Sequence, residues 1–208
     1  MARLEQRVRK RSQTLARQLD RVLRVLEAWG YVEDWQLTEA GTLLTRLYTE
    51  VDLLVAETLR TGVLDGLEPP EIVAIVSCFT YERRGPEGAR PAAPRWPSAS
   101  LARRYRDVER IWRDLSLDED DAGLPETRPP DPGFALLAHT WATGGDLSTI
   151  LEDEELTGGD FVRIVKQTID LLRQIADVAP DPATAASAAE GAGRCFRGVV
   201  AASSAVPG

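Results

Sequence analysis

Apolar residues recur along this chain at steps of three and four, the spacing that gathers side chains on one face of an α-helix. From about residue 3 to 29, Leu15, Leu19, Val22, Leu26 and Trp29 form such a stripe. Arg17, Arg21 and Arg24 occupy another face, and Gly30 closes the helix. Tyr31 to Leu37 reads as extended, a small β-ribbon or wing. Thr38 is placed to cap a helix through TEAGTLLTRLY, with Glu39 favourable in its first turn. The strongly apolar EVDLLVAETLRTG closes at Gly62. Pro69 and Pro70 open the next helix, where the first turn tolerates proline, and Ile72, Val73, Ile75, Val76 and Phe79 are its core candidates. A helix from about 98 to 117 carries Leu101, Tyr105, Val108, Ile111 and Leu115. Another runs from about 132 to 143, is broken at Gly144-Gly145, and is followed by one short turn over 147–151.

The clearest helix spans Thr157 to Val178. Phe161, Ile164, Val165, Thr168, Leu172, Ile175 and Ala176 face one way. Arg163, Lys166, Gln167, Asp170, Arg173, Gln174 and Asp177 face the other. An alanine-rich helix over about 183–202 ends the pattern. The Pro/Gly/Ala-rich 84–98 and the acidic, proline-rich 118–132 are loops. The predicted fold class is all-α: a multi-helix bundle with a possible small β-ribbon near residues 31–37 and two long loops. A basic N-terminal helix (1–30) leads into the helical domain (31–208).

Composition narrows the chemistry. The 208 residues are 43% hydrophobic and 28% charged, enough to bury a core. No apolar run approaches membrane-spanning length and no secretory signal is recognised, so a cytoplasmic location is expected. Cys78 and Cys195 lack the spacing of a disulfide framework or metal site, and Cys78 reads as a small buried hydrophobe. The net charge of −8 is uneven. Residues 1–27 hold eight arginines and lysines against three acids, a net of +5, which leaves −13 for residues 28–208. An acidic body disfavours nonspecific phosphate binding, so any nucleic-acid contact must be local. The sole histidine, His139, has no acid–base partner beside it. There is no Gly-Lys dipeptide and hence no Walker A loop, and no G-x-S-x-G elbow. The acidic clusters 118–121 and 152–155 lack the glycine and ligand spacing of a calcium loop. The chain on its own is therefore expected to hold no catalytic residue, metal or cofactor.

Three blocks carry a family resemblance: DRVLRVLEAWGYV; LTEAGTLLTRLYTEVDLLVAETLRTGVLDGLEPPEIVAIVSCFTYE; and WATGGDLSTILEDEELTGGDFVRIVKQTIDLLRQIADVA. Together they resemble the C-terminal helical (DSHCT) domain of exosome-associated DExH RNA helicases. The distinguishing pieces are Trp141 with Gly144, their spacing to Gly159-Asp160-Phe161-Val162-Arg163, and the Glu-Pro-Pro-Glu-Ile start of the Cys78 helix. The likeness covers roughly residues 15 to 204. With two lysines among 25 basic residues, the chain also resembles the arginine-rich actinobacterial HelY-type members.

The resemblance implies an accessory or ratchet domain of an ATP-dependent superfamily 2 RNA or DNA helicase. Its partners would be single-stranded RNA or DNA and the RecA-like motor domains of the same full-length protein, which would hold ATP and Mg outside this chain. The helix matching Thr157–Val178 would touch the bases of the strand. Family contact positions map to Gln167 and Asp170, and Arg163, Lys166 and Gln174 stand close to them on that helix. Related eukaryotic members carry arginine at the position of Gln167, where an amide keeps hydrogen bonds but loses the charge. An acidic all-α module that docks a protein partner without touching nucleic acid is the alternative. The basic N-terminal stretch reads as a solvated face, as the helix joining this domain to a motor region, or as a phosphate-contacting arm.

Overall fold

The computed structural model describes residues 2–83, 93–152 and 156–203, with side chains from residue 15 onward. In chain order the elements are α1 (Ala2–Ala28), β1 (Val32–Glu33), β2 (Gln36–Leu37), α2 (Glu39–Leu44), α3 (Asp52–Arg60), α4 (Pro69–Thr80) and α5 (Ala99–Ala122). A 3-10 turn (Pro132–Phe134) follows, then α6 (Ala135–Ala142), α7 (Leu147–Leu151), α8 (Gly158–Val178), α9 (Pro182–Cys195) and α10 (Gly198–Ala202). The all-α expectation and the ribbon are both present. The ribbon pairs Val32 with Leu37 and Glu33 with Gln36, turning through Asp34 and Trp35, both at positive φ. Among the described residues no helix is long and apolar enough to cross a membrane.

Helix α4 is the centre. Ten of its twelve residues are buried, because it packs on α5, α6, α8, α9 and the 3-10 turn at once. A helix enclosed on all sides needs apolar residues all round, and PPEIVAIVSCFT supplies them. Each fully buried Val, Ile or Phe side chain contributes about 1.5–3 kcal/mol. Its first turn is satisfied locally and its last from elsewhere in the chain. Pro69 and Pro70 remove two of the four orphan donors of the first turn, and the Glu68 backbone N–H donates to the Glu71 carboxylate at 3.1 Å in a capping box. At the other end the Arg128 guanidinium donates to the carbonyls of Phe79 and Tyr81. The Asp131 N–H donates to the Cys78 carbonyl at 2.9 Å.

Helix α8 lies across α4 and α9 and buries Phe161, Ile164, Val165, Thr168, Ile169, Leu171, Leu172 and Ile175. Thr157 caps it by accepting from the Asp160 N–H at 3.1 Å. Phe161 joins an aromatic cluster, 5.5 Å from Phe134 and 5.3 Å edge-on to Trp141. Trp141 is locked from both sides. Its indole N–H donates to the Cys195 carbonyl at 2.9 Å. The Arg197 guanidinium sits 3.6 Å over its ring and donates to the carbonyls of Trp141 and Gly145, both at 2.7 Å. That latch, with Gly198 at φ +49°, divides the expected last helix into α9 and α10.

One further expectation changes. Helix α5 does not stop at residue 117 but runs through the acidic cluster to Ala122, with Gly123 left-handed at its C-terminus. Glu119 is buried because its carboxylate accepts the Thr127 N–H at 2.6 Å and the Thr127 hydroxyl at 2.7 Å, which removes the cost of enclosing it. The apolar stripe of α1 is covered only toward its end, where Leu26 and Trp29 are half-buried beside buried Val25, while Leu15, Leu19 and Val22 are 65%, 53% and 37% exposed. The covering partner runs out. Trp29 bonds Asp118 at 2.7 Å and Arg21 reaches the Gly123 carbonyl at 2.9 Å, so α1 passes the end of α5 near Arg21. Finally, the expected loop 84–98 lies outside the described residues over 84–92, as do residues 153–155 of the second acidic cluster and the tail from 204.

The approach of α9 to α4 is close enough to test. A Cβ at Gly191 would stand 2.8 Å from Val73 Cγ2 and 3.0 Å from the Pro69 carbonyl oxygen, whereas one at exposed Gly193 meets nothing within 4 Å. Gly191→Ala is expected to cost about 1–3 kcal/mol through overpacking, and Gly193→Ala to add about 0.5–1 kcal/mol through helix propensity. Thermal unfolding followed by circular dichroism checks the pair. A Gly191→Ala chain melting at or above the parent would contradict the close packing.

Candidate functional site

Along α8, Arg163, Gln167, Asp170 and Gln174 follow one another at steps of four, three and four, and so share one face. Eleven residues at 1.5 Å each make this face about 16 Å long. It borders a groove of about 480 Å³. The buried side chains of Phe79, Ile164 and Leu171 lie beneath it. Tyr48, Thr49 and Glu50, from the α2–α3 connection, form one rim, and Glu82 and Arg128 stand at the end of α4. The polar face is open: the side chains of Arg163 and Asp170 are 47% and 69% exposed. Of the five positions singled out on this helix, four line the groove. Lys166 does not: it stands at the margin of this face, three residues after Arg163 and four before Asp170, and is half-buried.

The contacts within the face are weak and leave it available. Arg163 donates to Gln167 Oε1 at 3.3 Å and lies 3.5 Å from Asp160. Asp170 lies 3.7 Å from Arg173. Exposed pairs of this kind contribute little to stability. Gln174 is tied differently: its Oε1 accepts the Tyr48 backbone N–H at 2.6 Å, which leaves its amide NH₂ as the remaining donor. Arg128 lines the groove but is committed to the carbonyls at the end of α4, where a cation also faces the negative end of the helix dipole. Against two arginines stand Glu50, Glu82 and Asp170. The groove therefore offers amides, carboxylates, a phenol and an apolar floor rather than a concentration of positive charge.

Tyr48, Glu50, Glu82 and Arg128 escaped the sequence pattern. Tyr48 reads there as the end of a helix, but α2 stops at Leu44, and Tyr48 stands in the connection with 79% exposure. In the basic arm, Arg21 and Arg24 donate to the carbonyls of Gly123 and Asp20; the side chains of residues 3–11 lie outside the described ones.

Residues 34–203 match the DSHCT (NUC185) domain family. The chain is 37% identical over 212 residues to "Probable helicase HelY" of Mycobacterium leprae, an alignment covering 96% of this chain and 23% of that protein. The likeness to the same-named protein of Mycobacterium tuberculosis is of equal extent. It is also 23% identical over 161 residues to "Exosome RNA helicase MTR4" of Homo sapiens, across 75% of this chain and 15% of that one. The chain thus spans about a quarter of the length of the first relatives it matches.

The remaining reactive groups are held inert by the fold. Burial pushes the Cys78 thiol well above its ordinary range, and the neighbouring charge of Asp131 adds to it. Burial pushes Cys195 up to about 12, partly offset by the Arg197 charge. The His139 imidazole is held below its usual value by burial, with Glu71 opposing. Among the described residues no three His, Cys, Asp or Glu side chains converge as metal ligands do. Since the thiolate is the nucleophile, neither cysteine is expected to react with Ellman's reagent in the folded protein at pH 8. Both should react on unfolding in guanidinium. Stoichiometric labelling of the native chain would overturn this account.

Proposed function

We propose that this chain, which belongs to the DSHCT (NUC185) domain family, is the helical accessory domain of an ATP-dependent helicase, and that the open face of α8 touches the translocating single strand. The observation that carries the reading is the alignment of Arg163, Gln167, Asp170 and Gln174 along one groove. On this reading ATP and Mg belong to RecA-like motor domains outside this chain, and the domain closes the path of the strand over them. Relatives named as helicases, one of them an exosome RNA helicase, favour a nucleic acid as the occupant and RNA as the first substrate to try.

The physical basis is simple. Phe161, Ile164, Thr168, Leu172 and Ile175 pin one side of α8 into the core, so its opposite face is a rigid row of polar groups at one-turn spacing. Single strands are held without sequence reading by local amide, cationic and stacking contacts. A carboxylate such as Asp170 repels phosphate but accepts from the amino groups of bases. The bases, rather than the backbone, would therefore face α8.

Binding of a fluorescent 20-mer, RNA and DNA, measured by anisotropy at low and moderate salt, tests this. The double substitution Arg163→Ala/Gln167→Ala is expected to weaken binding about tenfold, equivalent to about 1.4 kcal/mol. Lys166→Ala, outside the groove, is expected to stay within about twofold. Undiminished binding by the double variant would move the contact elsewhere. No binding by the parent chain at any salt would favour a protein-docking module.

A further inference from the structure

Tyr48 presents a large aromatic ring to solvent at the edge of the groove, 79% exposed. An apolar ring left in water gains nothing from folding. Yet this ring is held in place with care. Leu47 before it is 4% exposed and Val51 after it 1%, so the connection is anchored in the core on both sides. The Tyr48 backbone N–H is tied to Gln174 of α8 at 2.6 Å. The ring is thus displayed by a fastened segment against the same face that carries Gln167 and Asp170. The nearby charges do not favour phosphate, since Arg128 is engaged at the end of α4 and three carboxylates line the groove. An exposed phenol, an amide and a carboxylate over an apolar floor suit a flat heterocycle with hydrogen-bonding edges.

We infer that Tyr48 is a stacking platform for one base of the single strand, positioned by Gln174, with the base edge turned toward α8 and the sugar-phosphate toward solvent. This rests on the helicase-domain reading and adds to it a binding residue outside α8. Stacking on an aromatic ring tolerates every base, because each has a π-face. It needs the ring and not the hydroxyl. Nor does it neutralise a phosphate, so it leaves the salt dependence of binding unchanged.

The test compares the 208-residue chain with Tyr48→Ala, Tyr48→Phe and Gln174→Ala, using a fluorescent 20-nucleotide oligouridine and a 20-mer in which abasic sites replace the bases. Tyr48→Ala is expected to weaken oligouridine binding roughly tenfold, within the range for loss of one base–aromatic stack, with an unchanged slope against log salt. Tyr48→Phe is expected to bind like the parent, Gln174→Ala to fall between, and the abasic strand to bind poorly to all. Irradiation of a 5-iodouridine strand is expected to leave an adduct on Tyr48, read by mass spectrometry. If Tyr48→Ala binds like the parent while Arg163→Ala/Gln167→Ala does not, the stacking role is wrong and the groove reading stands. If Tyr48→Phe loses affinity as Tyr48→Ala does, the hydroxyl rather than the stack is at work and the inference fails. If the parent binds neither RNA nor DNA, both readings fall together. Tyr48→Ala should keep the parental melting temperature, which separates a binding effect from misfolding.

Discussion

The complete enclosure of α4 is the constraint on which the rest of this structure depends. A helix with ten buried residues in twelve has no polar face to offer water, so all its neighbours must be supplied by the chain. That requirement sets α6, α8 and α9 around it and α5 behind it. It also excludes a Cβ from Gly191. Enclosure has a second consequence at the helix ends, where backbone groups without partners cannot be left dry. The first turn meets this with two prolines and a capping box. The last turn has no such local device, and long-range groups reach it instead: Arg128, from the loop after α5, and the N–H of Asp131.

The groove lies where the end of α4 meets the middle of α8. At that point Phe79 and Thr80 form a step, and the Thr80 hydroxyl meets Thr168 of α8 at 2.9 Å. Around it, α8 is faced by the connection that holds Tyr48 and by Glu82 and Arg128 beyond the end of α4. The chemistry of the groove therefore follows from the fold. The guanidinium nearest the step is required by the carbonyls of α4, so it cannot act as a free phosphate ligand as well. What remains for a ligand is Arg163, which already shares its charge with Asp160, together with amides, Asp170 and the phenol.

Much of this was legible in the sequence, and the parts that were not share a physical cause. Helical period shows which residues of α8 face the core and which face away. The choice of Gln167 and Asp170 among the polar residues, with Arg163, Lys166 and Gln174 beside them, rests on the family resemblance and not on period, and Lys166 is the one of the five that does not line the groove. The proline pair marked the start of α4. Period says nothing of what covers a face, so it gives no sign that the α1 stripe is largely open at Leu15 and Leu19. It says nothing of bonds that close far along the chain. Glu119 reads as one more acid in a solvated run until Thr127 turns back onto it. Tyr48 reads as the last residue of a helix until Gln174, 126 positions away, is seen to hold its N–H. The residues missed at the site are loop residues, fixed by tertiary contacts that no local pattern encodes.

The charge distribution bears on how such a site would work beside a motor. Residues 28–208 carry −13, and the groove adds no surplus of cation to offset it. Phosphate contacts release counterions and hold a strand strongly whatever its register, so a groove rich in them would resist the movement of a strand through it. On the proposed reading, a groove that instead offers one ring, amides and carboxylates would engage bases one at a time. Each such contact is modest and is lost when the base moves on. On the proposed reading, weak engagement of the strand by this domain alone would follow from its composition, and the cations that keep a strand in place would belong to the motor domains.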